Sequence, residues 1–175
     1  AYPHVYAAAG IYPEDCDGCT DEDFDALEAL CRHEKVVAVG TVPRPSWLPN
    51  GYYVWPCYGR ITSRFGYRYI FGSYSYHSGI DIAVPYGTSV KAADGGTVTF
   101  AGYKGSYGYL VIIDHGNGEQ TYYGHNSSLL VSAGDKVYQG QTIAKAGSTG
   151  RSTGSHCHFE IRINGTAVNP AAYLN

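Results

Sequence analysis

The sequence predicts an all-β fold with many turns. Of its 175 residues, 23 are glycine and 18 are tyrosine, and none is methionine. Valine, isoleucine, threonine and tyrosine recur in short runs, several of which alternate with polar residues, as in strands with one buried face. Turn sequences rich in glycine separate these runs, which favours antiparallel pairing. A chain of this length forms one domain, or one domain with a small appendage, and can bury a substantial core.

Charge divides the chain near residue 50. Residues 1–50 contain nine acidic and three basic side chains, whereas residues 51–175 contain six and nine. We therefore predict an acidic N-terminal appendage with a proline-rich linker over residues 1–50, and the main domain over residues 51–175. No stripe of arginine and lysine with interleaved aromatic residues indicates a nucleic-acid partner. No run is apolar and long enough to span a membrane, and an export signal, if the protein is secreted, lies upstream of Ala1.

The appendage is predicted to contain one short helix. A threonine N-cap, an acidic first turn and apolar residues at helical spacing indicate a helix that ends near His33. The cysteines allow two interpretations, a structural zinc site with His33 or disulfide bonds in an oxidising compartment. The zinc site would use Cys16, Cys19 and Cys31, and the disulfide pairing is open among these three and Cys57. Three interpretations of the appendage stay open: an inhibitory plug, a docking spacer or the end of an upstream domain.

From Trp55 onward, nine segments are predicted as strands. Turn residues at 94–96, 116–118 and 139–141 predict three hairpins between consecutive strands. The predicted strands cover residues 60–66, 79–84, 88–92, 96–101, 110–114, 119–123, 136–138, 142–146 and 154–161.

The last of these segments carries two histidines on one face. Alternation along a strand places Cys157 and Phe159 on a core face and His156, His158 and Glu160 on the opposite, polar face. The two imidazoles have α-carbons about 7 Å apart, close enough to serve one site. Cys157 is predicted to be a buried free thiol.

Three further polar side chains join this pair as candidates. Asp81 stands alone on an aliphatic strand, so it needs a cation, a metal or several hydrogen-bond donors. His77 precedes it by four residues, about 13 Å along a straight strand, so the chain must bend at Gly79 if both residues bind one ion. His125 follows directly after a strand end, whereas His115 is assigned to its turn.

These five candidates exceed what a three-ligand metal site requires. Three nitrogen or oxygen ligands with a fourth position left to water are the pattern of a catalytic zinc site. Two additional histidines can supply a base for the water and a hydrogen-bond donor for the developing oxyanion. The surplus therefore favours catalysis over metal storage.

Three segments, in order and with normal spacing, resemble the signature motifs of the M23 zinc endopeptidases of the lysostaphin and LytM type. They are His77-x-x-x-Asp81, Tyr122-Tyr123-Gly124-His125 and His156-Cys157-His158. The resemblance runs from about Gly59 to Leu174 and implies an antiparallel β-sandwich or open barrel with an active-site groove. It also implies that His77, Asp81 and His158 bind one zinc ion and that His125 and His156 are the catalytic histidines.

The function that this resemblance implies is zinc-dependent hydrolysis of an amide bond in bacterial peptidoglycan stem or cross-bridge peptides. Such an enzyme would be extracellular, associated with the cell wall or carried by a virion. The alternative is a peptidoglycan-binding or amidase-activating module of the same fold without catalysis. The bond that is cut stays open, because glycine bridges and stem-peptide bonds are both substrates of the family.

Overall fold

Strands make up nearly all the regular structure of the described part of the chain. The computed structural model describes residues 45–70 and 72–175, and within these ranges the chain forms twelve strands and two short 3-10 helices. The all-β prediction is confirmed, while the predicted helix of the appendage and its cysteine cluster lie outside the described residues. No helix in the described ranges has the length and hydropathy of a membrane span. The strands are β1 (Arg60–Ser63), β2 (Gly66–Ile70), β3 (Ser73–His77), β4 (Ile80–Ala83), β5 (Ser89–Lys91), β6 (Gly96–Tyr103), β7 (Tyr109–Gly116), β8 (Glu119–Leu129), β9 (Lys136–Val137), β10 (Thr142–Ala146), β11 (His156–Ile163) and β12 (Thr166–Val168).

Strand β11 lies at the centre of the architecture. Ten strands form one antiparallel sheet with the order β1, β4, β11, β8, β7, β6, β9, while β2 and β3 form a separate hairpin. Strand β5 pairs with β10, which also pairs with β8, and β12 pairs with β11. Because β11 lies between β4 and β8, its polar face adjoins both the strand of Asp81 and the strand of His125.

The apolar face of β11 lies in the core, as its alternation predicts. Cys157, Phe159 and Ile161 are fully buried against Ile80 and Ile82 of β4. Burying aliphatic and aromatic side chains of this size contributes about 1.5–3 kcal/mol each. The predicted free thiol at Cys157 is confirmed, and Cys57 is a second buried free thiol. This packing fixes β11, and with it the register of the histidines on the other face.

One of the three predicted hairpins is confirmed. Strands β7 and β8 pair directly, and their turn contains Asn117 in the left-handed region, with φ of 49°. Asparagine adopts that region at little cost, which explains the strength of the local signal.

The predicted hairpin around residues 94–96 is wrong, because β5 pairs with β10 and β6 pairs with β7 and β9. The Asp94 carboxylate accepts hydrogen bonds from the backbone N–H groups of Asn50, Gly51 and Gly95. The carboxylate therefore anchors the backbone at residues 50–51, and the Asp-Gly pair does not close a two-stranded turn.

The predicted hairpin around residues 139–141 is also wrong. Strand β9 pairs with β6, whereas β10 pairs with β5 and β8. The intervening turn instead bonds to Ala92, whose carbonyl accepts from Gly140 N–H and whose N–H donates to the Gln141 carbonyl. Partners that are distant in sequence override the local turn signal here.

Candidate active site

The connection between β3 and β4 brings His77 and Asp81 together. His77 Nε2 lies 3.1 Å from Asp81 Oδ1, although a straight strand would hold the two residues far apart. Gly79 permits this by its size, because an added Cβ there would lie 2.2 Å from the carbonyl oxygen of Phe159. Close approach of the turn to β11 therefore requires glycine at this position.

His158 completes a cluster of three inward-facing atoms. The register of β11 on β4 places it opposite Asp81. Its Nδ1 lies 2.8 Å from Asp81 Oδ1 and 3.1 Å from His77 Nε2. Both histidines are buried, so these polar atoms have little access to water.

The outward-facing nitrogen of each ring fixes its orientation. His77 Nδ1 lies 2.9 Å from the Arg64 carbonyl oxygen, to which it must donate. His158 Nε2 lies 2.9 Å from Glu160 Oε1. In the neutral rings, the inward-facing nitrogens therefore carry lone pairs.

This set of donors fits a zinc ion. Two imidazole lone pairs and a carboxylate oxygen converge within 4.8 Å of one another, where they repel each other unless a cation or proton lies between them. Hydrogen-bonded partners behind the ligating groups are the usual support of protein metal sites. Burial opposes ionisation of Asp81, but when the His158 and His77 rings are protonated, their hydrogen bonds hold the pKa of this carboxyl well below its usual range.

Glu160 lies behind His158 at the centre of a buried polar cluster. It is fully buried, and its Oε1 accepts from Ser78 Oγ at 2.5 Å and Tyr107 Oη at 2.8 Å in addition to His158. Arg162 Nε and Nη2 bind its Oε2 at 2.8 and 2.7 Å. Burial favours the neutral form, yet the hydrogen bonds from His158 and Ser78 lower the pKa of Glu160 to about 2. The carboxylate is therefore ionised and holds His158 Nδ1 towards the cluster.

His125 and His156 form a second pair beside the first cluster, with ring centroids 4.6 Å apart. His125 Nδ1 donates to the Thr149 carbonyl oxygen and His156 Nδ1 to that of Gly154, both at 2.8 Å. His156 Nε2 lies 3.6 Å from Asp81 Oδ1. The Nδ1 contacts leave Nε2 of each neutral ring as its free acceptor.

Two features set His125 apart. Its backbone is left-handed, with φ of 62°, a conformation that non-glycine residues adopt at a cost of about 1–3 kcal/mol and that is concentrated at functional sites. Burial lowers the pKa of its imidazole to about 4, although the contact with Thr149 works in the other direction. His125 is therefore a neutral acceptor at pH 7.

All five candidates line one groove with a cavity volume of about 760 Å³. Its walls come from β1, from the β2–β3 hairpin, from the 3-10 turn Gly105–Tyr107 and from the loop at residues 150–155. The groove that the sequence analysis expected is thus present in the structure.

Comparison with known proteins agrees with this geometry. Residues 75–170 match the profile of "Peptidase family M23". The chain belongs to this family.

Relatives within and around M23 include both hydrolases and activators. Over 117 residues, 66% of this chain, it is 50% identical to "DD-carboxypeptidase/endopeptidase Mpg" of Neisseria meningitidis, of which it covers 27%. It is 40% identical over 126 residues to "Murein hydrolase activator EnvC" of Escherichia coli, covering 72% of this chain and 30% of EnvC. The chain thus spans roughly a quarter to a third of the length of these relatives.

Among solved structures, a "zinc containing peptidase" from Vibrio cholerae superposes with a TM-score of 0.62 and 35% sequence identity. The match covers 70% of this chain and 39% of the Vibrio chain. Relatives with 35–50% sequence identity therefore support both the fold and the family.

His115 does not line the groove. Its Nδ1 donates to the Gly95 carbonyl oxygen at 2.6 Å, and its Nε2 lies 2.7 Å from Thr121 Oγ1. Burial lowers the pKa of this imidazole, in opposition to the Gly95 contact. It therefore supports the turn at residues 94–96, and not the turn at its own strand end.

Three contributors to the site were not identified as such from the sequence. Alternation placed Glu160 on the face of His158, so its proximity was predictable, but its role was not. Arg68, whose Nη1 lies 3.4 Å from Asp81 Oδ2, comes from a hairpin with no metal-binding motif. The Thr149 carbonyl that orients His125 belongs to a loop whose backbone groups leave no sequence signal.

Proposed function

We propose that the protein is a zinc-dependent endopeptidase that hydrolyses an amide bond in peptidoglycan peptides. The observation that carries this proposal is the convergence of two sets of functional groups, one of three residues and one of two, in one groove. His77, Asp81 and His158 form a set that fits zinc, and His125 and His156 lie directly beside it. Membership of M23 and the similarity to Mpg support a peptidase that acts on the cell wall.

A zinc ion bound by His77, Asp81 and His158 would supply Lewis acidity, which activates water and polarises a carbonyl group. His125, neutral at pH 7, accepts the proton from the attacking water through Nε2. The ring centroid of His156 lies 4.6 Å from that of His125. When His156 Nε2 carries a proton, it donates a hydrogen bond to the oxygen of the scissile carbonyl. The carbonyl oxygens of Thr149 and Gly154 hold the two rings in place.

Peptidoglycan as substrate places the protein outside the cytoplasmic membrane, in the cell envelope or beyond it. The groove has a volume of about 760 Å³, and its walls include residues of the β2–β3 hairpin and of the loop at residues 150–155.

The similarity to EnvC favours a second candidate, an activator of other hydrolases that uses the same fold without catalysis. The complete set of metal-binding groups, each with an outer hydrogen-bonding partner, argues against it. Elemental analysis of the purified chain distinguishes the two, because the enzyme contains one zinc ion per chain. An activator without the metal contains none.

Hydrolysis is tested with a fluorescently labelled stem peptide and zinc-loaded protein. We expect new amino termini with the wild type, and none with His158→Ala, which lacks one metal ligand. Equal rates for the two proteins, or the absence of cleavage by zinc-loaded wild type across stem and bridge peptides, would refute the proposal.

A further inference from the structure

The loop after β10 supplies the hydrogen-bond acceptor that fixes the protonation pattern of His125. His125 Nδ1 donates to the Thr149 carbonyl oxygen at 2.8 Å. In a neutral imidazole only one ring nitrogen carries the proton, and the hydrogen bonds of the ring decide which one it is. This contact therefore selects the Nδ1–H tautomer, in which Nε2 holds the lone pair that a base requires. The position of one backbone carbonyl decides whether His125 can accept a proton.

The side chain of Thr149 holds that carbonyl in place. Its Oγ1 accepts from Tyr109 N–H at 3.0 Å and donates to the Asn126 carbonyl oxygen at 2.6 Å. Tyr109 is the first residue of β7, and Asn126 directly follows His125 in β8. The hydroxyl thus ties the loop to the strand that carries the base. Both contacts need a group that donates and accepts at one atom, which a hydroxyl does.

Close backbone contact reinforces this attachment. Gly108, which follows the 3-10 turn Gly105–Tyr107, and Gly150 both have left-handed backbones, with φ of 65° and 72°. An added Cβ at Gly108 would lie 2.3 Å from Thr149 Oγ1, and one at Gly150 would lie 2.3 Å from the nitrogen of Gly108. Approach this close requires glycine on both sides. The turn and the loop therefore meet at the Thr149 hydroxyl.

We propose that Thr149 is a positioning residue for the general base, because its hydroxyl fixes the carbonyl that holds His125 in the Nδ1–H tautomer. This inference rests on the proposed peptidase function and adds a residue to its machinery. Thr149 is not among the residues that line the groove, so it acts through His125 and not on the substrate. Misplacement of a reacting group by about 1 Å can lower a rate about 10²-fold.

A purely structural role for Thr149 would be to stabilise the loop. Loss of such a role lowers the free energy of unfolding but leaves the tautomer of His125 and the rate of the folded enzyme unchanged. A positioning role changes both of these while the metal ligands, which do not contact Thr149, keep their affinity for zinc. The tautomer and the zinc Kd together separate the two roles.

The test is an NMR measurement on the zinc-loaded full chain with isotope-labelled histidine. The chemical shifts of the two ring nitrogens show which of them carries the proton, and the spectrum of His125→Asn assigns the His125 signals. Thr149→Val removes the hydroxyl at nearly constant shape, and Thr149→Ser keeps it. Thr88→Val is the matched control, because Thr88 Oγ1 also donates to a backbone carbonyl, that of Pro85, at 2.7 Å but does not line the groove.

We expect the Nδ1–H tautomer of His125 in wild type and a population of the Nε2–H tautomer in Thr149→Val. With a cleavable peptide, kcat/KM of Thr149→Val should fall by about tenfold or more, since general-base catalysis contributes about 10²–10⁴-fold. Its zinc Kd should stay within about twofold of wild type, because the metal ligands keep their hydrogen-bonding partners. Thr149→Ser and Thr88→Val should retain the wild-type tautomer and most of the activity.

An unchanged tautomer in Thr149→Val overturns the inference, as does a loss in Thr149→Ser as large as that in the valine variant. A zinc Kd that rises more than about tenfold with Thr149→Val also overturns it, because the hydroxyl would then support the metal site as well. If valine prevents folding, Thr149→Ala removes the hydroxyl in a smaller side chain with the same expected result. The tautomer is observed without substrate, so an absence of hydrolysis by wild type would refute the proposed function and leave this result standing.

Discussion

Replacing Glu160 with glutamine should weaken zinc binding. The Glu160 carboxylate accepts from His158, Ser78 and Tyr107 at one oxygen and from Arg162 at the other. Glutamine offers one oxygen and one NH₂ group, so one of these two sets of donors must face another donor. Whichever way the amide turns, His158 loses a charged acceptor.

The magnitude follows from these contacts. Loss of the partner that orients a metal ligand typically lowers metal affinity 10–100-fold, which corresponds to about 1.4–2.7 kcal/mol. Breaking a buried ion pair costs about 3–5 kcal/mol. The Arg162 side chain is 25% exposed, so we expect the free energy of unfolding of the zinc-free protein to fall by less than that range.

The assay is competition with a chromophoric chelator for zinc, combined with denaturant unfolding of the zinc-free protein. Ser78→Ala removes a single donor to Glu160 and should shift the zinc Kd less than tenfold. Glu119→Gln is the matched control, because Glu119 Oε2 also accepts from a tyrosine, Tyr53 Oη, at 2.5 Å but lies outside the groove. A zinc Kd for Glu160→Gln within twofold of wild type would refute the reasoning.

Three other changes test separate parts of the account. His125→Asn should lower kcat/KM by about 10²–10⁴ with the zinc Kd within threefold of wild type, since asparagine tolerates the left-handed φ of 62°; a large loss of zinc would contradict the assignment. Gly79→Ala should lower the free energy of unfolding by about 1–3 kcal/mol in a denaturant titration, because the added Cβ would lie 2.2 Å from the carbonyl oxygen of Phe159. Gly154→Ala is the control and should be nearly neutral, because no atom lies within 4 Å of the added Cβ. The lowered pKa of His115 means that the unfolded chain binds this proton more readily, so stability is complete above about pH 6.5 and declines as pH falls below it. His115→Gln should reduce that slope in unfolding measurements between pH 7 and pH 5, and an unchanged slope would contradict the assignment.

The sequence contains much of the site because strand periodicity is a local property. Alternation places His156, His158 and Glu160 on one face, and the apolar residues between them specify the buried face. The same reasoning isolates Asp81 among aliphatic neighbours. Register between β4 and β11 then converts these separate signals into one cluster.

Local sequence signals do not determine which distant strands pair. The turn at residues 94–96 resembles a hairpin turn, yet Asp94 binds the backbone of Asn50 and Gly51. Likewise, the orientation of His125 depends on the carbonyl of Thr149, a backbone group that every residue possesses. Only the folded chain shows which of these groups meet.

The most direct test of the central claim is the muropeptide profile of purified peptidoglycan after incubation with the zinc-loaded chain. Mass spectrometry identifies each product, and the masses of the fragments on either side of the cut show which bond was cleaved. We predict new amino termini with wild type, loss of these products with His158→Ala, and their near absence with His125→Asn. Profiles that are the same for wild type and both variants, from a protein that contains stoichiometric zinc, would contradict the claim that these residues form a peptidase site.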